Sequence, residues 1–137
     1  MRILAIDYGE RRIGLAVSDE LQMTARPLAT IERAPKQKSF SQIAQFVSEF
    51  EIEQVVVGLP LRLDGTAGDS AERVEKFIAE LSKHLSCPVI KWDERLTSHE
   101  AEERMREIGL GFAERKARID EFAAMIILED YLAAKRS

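Results

Sequence analysis

Three short apolar runs follow one another at the start of the chain, too closely spaced for helices to separate them. They cover residues 3–7, 12–18 and about 27–32, and Gly9 lies in the tight connection between the first two. Strands joined by such short connections pair with their neighbours in antiparallel directions. The opening of the chain therefore predicts a three-stranded antiparallel meander.

After this meander, helical and strand-like patterns alternate. The predicted helices span about 39–50, 69–85, 97–108 and 119–134, and the further strands span 54–60 and 88–92. Residues 109–118, GLGFAERKAR, are predicted to form a flexible link. Strands separated by helices pair in parallel through right-handed crossovers. We therefore expect an α/β fold with a mixed five-stranded sheet, three antiparallel strands followed by two parallel ones, and helices on both faces.

Size and composition limit the classes of protein to consider. The chain has 137 residues, of which 45% are hydrophobic and 32% charged, so a single domain over residues 1–137 is expected. It contains no apolar run long enough to span a bilayer and no room for a signal peptide before the first strand, which predicts a cytoplasmic protein that does not bind membranes. A net charge of −4 argues against coating nucleic acid by bulk charge, although a local basic surface remains compatible with it.

Acidic residues stand at the ends of two predicted strands and on the last helix. Asp7 ends the first strand, Asp93 and Glu94 end the fifth, and Asp120 lies in register with the apolar face of the last helix. Ligands of such sheets gather at the carboxyl ends of the parallel strands. Carboxylates that converge there are costly unless cations lie among them, and Mg²⁺ or Mn²⁺ is the usual solution. The pattern predicts a divalent metal site, which in the two-ion form hydrolyses phosphodiesters.

Each acid taken singly has another interpretation. Asp7 is equally compatible with an Asx-type turn before Gly9. Glu94 and Asp120 are also compatible with acids near a helix N-terminus, where negative charge is favourable. The expected meeting of all three at one end of the sheet favours a shared site.

Basic residues flank these acids and are predicted to hold the phosphates of a substrate. They are Arg11, Arg12, Arg95, Arg115 and Lys116. Three other cations, Arg33, Lys36 and Lys38, are interpreted as solvated surface residues.

Four segments of the chain resemble the motifs of a known family. The segments AIDYGERRIGLAVSD, VVVGLPLRLDGT, WDERLTSHEAE and IDEFAAMIILEDYL are similar to those of the YqgF family, also called RuvX, described as Holliday-junction resolvases and as pre-16S rRNA nucleases. The resemblance covers essentially the whole chain. It implies an RNase H-like fold and a metal-dependent nuclease centre at Asp7, Glu94 and Asp120. Asp93 is the alternative to Glu94 as the second acid of this centre. Glu94 is preferred because neighbouring strand residues point to opposite faces.

The resemblance implies a metal-dependent hydrolase of nucleic-acid phosphodiesters, with two Mg²⁺ or Mn²⁺ ions. We favour maturation of the 5′ end of pre-16S rRNA, with resolution of four-way DNA junctions as the alternative. Junction resolution requires two symmetric cuts and therefore a dimer, whereas no exposed apolar stripe predicts one, so a monomer or weak homodimer is expected.

Two other classes of protein share features with this chain. A non-catalytic nucleic-acid-binding module of the same fold has no need for three mutually repelling acids. The actin-like ATPases and sugar kinases share the D-x-G turn, but they need two such domains to close over ATP, and this chain offers one.

Overall fold

A computed structural model of the protein describes residues 1–60, 68–94 and 97–136, with the backbone alone for residue 94 and residues 97–99. The elements follow the predicted order of three strands and then alternating helices and strands. They are β1 (Arg2–Tyr8), β2 (Arg12–Ser18), β3 (Ala25–Glu32), α1 (Lys36–Glu49), β4 (Ile52–Pro60), α2 (Asp69–Ser82), β5 (Val89–Glu94), α3 (Thr97–Glu107) and α4 (Phe112–Arg136). None of the helices in these ranges is both long and apolar enough to cross a membrane.

The five strands form one mixed sheet in the order β3-β2-β1-β4-β5. The pairs β1–β2 and β2–β3 are antiparallel, and the pairs β1–β4 and β4–β5 are parallel. The predicted meander and the two parallel additions are therefore confirmed. This arrangement aligns the carboxyl ends of β1, β4 and β5 at one end of the sheet.

Helices cover both faces, because side chains of the central strands alternate between two apolar clusters. On β1, Leu4 and Ile6 pack with residues of α1 and α2, which we call the α1–α2 face. Ile3 and Ala5 pack with residues of α3 and α4, the α3–α4 face. The prediction of helices on both faces is confirmed.

The prediction of a flexible link over residues 109–118 is wrong from Phe112 onward. Helix α4 begins at Phe112 instead of 119, and the amide of Arg115 donates to the carbonyl of Gly111 at 2.9 Å. Apolar periodicity begins only near Ile119, so the pattern missed the exposed first turns. Ala, Glu, Lys and Arg are strong helix formers, and no glycine or proline follows Gly111 to interrupt them.

Helix α1 also begins earlier than predicted. Its first residue is Lys36, its N-cap position is Pro35, and no side chain caps it. Ser39, at the predicted start of the helix, lies inside the first turn and donates from Oγ to the carbonyl of Lys36 at 3.0 Å.

Candidate active site

Strands β1, β4 and β5 are parallel, and their carboxyl ends bring Asp7 and the Asp93–Glu94 pair to one end of the sheet. Ile6 of β1 is the register partner of Val57 in β4, and Pro60 of β4 is that of Glu94 in β5. Asp7 and the Asp93–Glu94 pair therefore follow one another across the end of three neighbouring strands.

Asp7 and Asp120 lie on the same face of the sheet, the α3–α4 face, although they are near opposite ends of the sequence. Asp7 is the register partner of Gly14 in β2. A Cβ atom built on Gly14 would lie 1.9 Å from the carbonyl oxygen of Asp120, so the backbone of α4 rests directly on β2 there. Cross-strand partners lie on the same face, and Asp7 is therefore on the face where α4 presents Asp120.

Gly14 was not identified from the sequence. A glycine inside a strand that otherwise reads RIGLAVS is nevertheless the usual signal of a close backbone approach. The signal indicates that something approaches, but it does not indicate which element.

The carboxylate of Asp120 is largely buried and has one cation beside it. Its side chain is 18% exposed, and Nε of Arg12 lies 3.4 Å from Oδ2. Burial raises the pKa of Asp120, the Arg12 charge opposes that rise, and Glu121 adds to it. Oδ1 faces the β1–β2 turn, where a Cβ atom on Gly9 would lie 3.3 Å away. The site thus holds a partly dehydrated carboxylate that a further cation would stabilise.

The neighbouring Glu121 is buried as well, but its charge is compensated separately. Nε of Arg118 lies 2.5 Å from Oε1 of Glu121, and the same guanidinium lies 5.0 Å from the ring centre of Phe122. Sequence reasoning missed this pair. Arg118 partly offsets the charge of Glu121 within one turn of α4, whereas the carboxylate of Asp120 faces the β1–β2 turn.

Strand alternation separates Asp93 from Glu94. Ile90 and Trp92 pack with the α3–α4 face, whereas Nζ of Lys91 bonds Glu75 of α2 at 2.6 Å. By strand alternation, position 94 belongs with positions 90 and 92, and the exposed Asp93 belongs with Lys91 on the other face of the sheet. The side chain of Glu94 and all of Arg95 lie outside the described residues. Among the side chains described, no three histidine, cysteine or acidic groups converge to hold a metal ion.

Predicted phosphate-binding residues surround Asp120. Arg11, Arg12 and Asp120 line an open depression of about 490 Å³, together with Glu10 and Glu32. Besides its ion pair, Arg12 donates from Nη2 to the carbonyl of Lys116 at 3.4 Å, and the Lys116 side chain is exposed.

Arg115 is placed differently from the other predicted phosphate-binding residues. It donates from Nη1 to the carbonyl of Leu110 at 2.8 Å, and its buried Nε has no hydrogen-bond partner in the described part of the chain. Its guanidinium thus holds the segment that precedes α4.

A sequence model described as "RuvX: Holliday junction resolvase" matches residues 1–134. The chain belongs to the RuvX family. A relative from Chloroflexus aurantiacus is 52% identical over 98% of this chain and 88% of that protein. Another from Syntrophus aciditrophicus is 46% identical over 98% of this chain and 89% of that protein. Both relatives carry the name "Putative pre-16S rRNA nuclease".

Two solved structures share the fold of this RuvX chain. RuvC of T. thermophilus in complex with a Holliday junction substrate is 16% identical, with a TM-score of 0.57 over 98% of this chain and 96% of that one. The fowlpox virus Holliday junction resolvase is 13% identical, with a TM-score of 0.56 over 98% and 99%. At these identities the likeness concerns the fold alone. The predicted family and the RNase H-like fold are confirmed.

Proposed function

We propose that this RuvX chain is a metal-dependent endonuclease that acts, as one cytoplasmic domain over residues 1–137, in maturation of the 5′ end of pre-16S rRNA. The observation that carries the proposal is that Asp7 is the register partner of Gly14 and that the Asp120 backbone rests directly on Gly14, which supports a shared site for the two acids. The names of the two relatives support the choice of substrate.

The residues present fit a divalent metal. Asp7 and Asp120 offer carboxylate oxygens, the ligands that Mg²⁺ and Mn²⁺ prefer, and burial disfavours the charge of Asp120 without a cation. In the proposal Asp7, Glu94 and Asp120 hold two such ions. When bound, the metal supplies an activated water and stabilises charge on the leaving oxygen.

The chain's own residues position the reacting groups. Asp7 lies on a central strand and Asp120 on a helix packed directly against β2, so neither depends on a loop for its place. Arg12 joins Asp120 to the Lys116 carbonyl and fixes the start of α4 against the β1–β2 turn. The exposed Arg11 and Lys116 side chains are proposed to contact substrate phosphates, with Arg95 and Arg115 completing the set.

Resolution of four-way DNA junctions is the second candidate, because the family to which the chain belongs is described by that activity. It requires two cuts related by two-fold symmetry, and hence two copies of the chain on one junction. We propose a monomer or weak homodimer in solution.

The test compares matched substrates in the presence of magnesium, manganese or EDTA. One pair is an RNA with the precursor 5′ extension and the same RNA without it, and the other is a four-way DNA junction and a linear duplex. We expect metal-dependent cleavage of the extended RNA alone, and an increase in melting temperature when millimolar metal binds the native state. Cleavage confined to the junction would favour the second candidate, and binding without cleavage under any metal would contradict a nuclease.

A further inference from the structure

A second depression lies on the opposite face of the sheet from the acids. It is a groove of about 290 Å³ between α1 and α2, with Tyr8, Phe40 and Phe77 at its base. Four cations line it, against one carboxylate. They are Arg33, Lys36, Arg73 and Lys76, and the carboxylate is Glu80. This local excess of positive charge stands out in a chain whose net charge is −4.

Two of these cations already have partners within the protein. Nζ of Lys36 lies 2.9 Å from Oε2 of Glu80. Arg33 donates from Nη1 to the carbonyls of Gly9 and Glu10, at 3.3 and 2.9 Å. Only Lys36 is thereby paired with an opposite charge, because the carbonyls bonded to Arg33 are neutral.

The other two cations form no ion pair with a carboxylate of the described residues. Arg73 and Lys76 are exposed and three residues apart on α2, so their side chains neighbour each other on one side of the helix. Within the described part of the chain, Arg73 donates from Nη2 to Oγ of Ser70 at 3.2 Å. Two adjacent cations that no described carboxylate pairs, at the mouth of a groove, are suited to an anionic ligand.

The groove continues into the acid site around the end of the sheet. An intermediate depression shares Tyr8, Arg33 and Arg73 with the groove, and shares Glu10 with the depression beside Asp120. The carboxylates Glu10 and Glu32 also line this path. We call its cations, Arg11, Arg12, Arg33, Arg73 and Lys76, the basic track. It passes over the β1–β2 turn from the α3–α4 face to the α1–α2 face.

We propose that Arg73 and Lys76 bind backbone phosphates of a single-stranded nucleic-acid segment that leaves the acid site over the β1–β2 turn. This inference rests on the proposed nuclease function and defines its substrate as single-stranded beside the cut. A DNA duplex has a persistence length of about 50 nm, so a path around the end of one sheet would require a sharp and costly bend. A single strand can, and its phosphates are read by cations without regard to sequence.

The test measures binding of an end-labelled single-stranded RNA by fluorescence anisotropy at several salt concentrations, in EDTA so that no cleavage occurs. The double variant Arg73→Ala/Lys76→Ala should bind roughly tenfold more weakly and lower the slope of log affinity against log salt by about 1.4, the loss of two single-strand phosphate contacts. The matched control is Lys38→Ala/Lys83→Ala. It removes two exposed cations from α1 and from the end of α2, outside the groove, and should bind like the parent.

A charge-retaining variant, Arg73→Lys/Lys76→Arg, should restore most of the affinity, and melting temperatures verify that all variants are folded. An unchanged salt slope in the alanine variant would overturn the proposal, as would an equal loss on a duplex of the same length. Its failure is distinguishable from failure of the nuclease proposal. If only the strand-binding proposal fails, the parent cleaves RNA and the alanine variant binds RNA as the parent does. If only the nuclease proposal fails, the alanine variant loses affinity although the parent cleaves nothing.

Discussion

The two faces of the sheet are built differently at its carboxyl end, and adjacent residues of β1 supply both. Asp7 lies on the α3–α4 face, opposite Gly14 and beside Asp120. Tyr8 lies on the α1–α2 face, where its ring stacks on Phe77 with centroids 4.1 Å apart and the Arg33 guanidinium lies 4.4 Å from its ring centre. One face holds acids against a helix backbone, and the other holds cations around aromatic rings.

This difference indicates how each face tolerates change. On the α3–α4 face, backbone meets backbone at Gly14, and no side chain can move aside to admit even a methyl group. On the α1–α2 face, the contacts are between side chains, which can repack at moderate cost. Our two proposals place the chemistry on the rigid face and the binding of the single strand on the adaptable one.

The largest effect is expected from Asp7→Asn, which tests whether the α3–α4 face carries the chemistry. Asparagine keeps the size and turn-forming capacity of Asp7 but removes the charge that holds cations, so cleavage should fall on the order of a hundredfold or more while the fold and RNA binding persist. The control is Asp93→Asn, at the neighbouring end of β5 but in the opposite strand series, which should stay within a few fold of the parent. Cleavage rates near the parental value in Asp7→Asn would contradict the proposed site.

Gly14→Ala tests the rigidity of the same face. The added Cβ would lie 1.9 Å from the Asp120 carbonyl oxygen, so α4 must move, and we expect the free energy of unfolding to fall by about 1–3 kcal/mol, with a loss of cleavage. Gly111→Ala is the control, because nothing lies within 4 Å of a Cβ atom there. Urea unfolding of both variants measures the effect, and equal stability of the two would show that α4 does not need the glycine.

A smaller effect is expected on the α1–α2 face from Arg33→Ala. The change removes the cation over Tyr8 and the bonds to the Gly9 and Glu10 carbonyls, which hold the β1–β2 turn from this side. We expect a loss of about 1–2 kcal/mol in unfolding free energy, since the guanidinium is half-buried and water replaces part of its bonding. The unfolding free energy of Arg33→Lys, which keeps the charge, should lie between that of the parent and that of Arg33→Ala. No change in urea unfolding of Arg33→Ala would indicate that the turn is held by its own hydrogen bonds.

Arg33 also corrects an interpretation made from the sequence. Its position in a polar stretch after the third strand suggested a solvated surface residue, but its guanidinium stacks on Tyr8 and bonds two carbonyls. These partners lie in the β1–β2 turn, far from Arg33 along the chain. A local pattern contains no information about them.

By itself, the sequence determined the order of strands and helices, the mixture of antiparallel and parallel pairing, and the apolar side of each element. These follow from local periodicity and from connection lengths, which each segment carries within itself. The family resemblance rests on the same continuous stretches. The start of α4 was missed because its first turns are exposed and have no apolar period to detect.

Only the tertiary structure decided which residues of distant elements meet. Gly14 lets α4 approach β2 and brings Asp120 to the side of Asp7, and Arg73 and Lys76 lie beside a groove that α1 and α2 form together. The physical reason is that periodicity specifies which side of an element is buried, whereas the depth and position of its packing against another element depend on both surfaces at once. The acid site and the basic track are products of that packing.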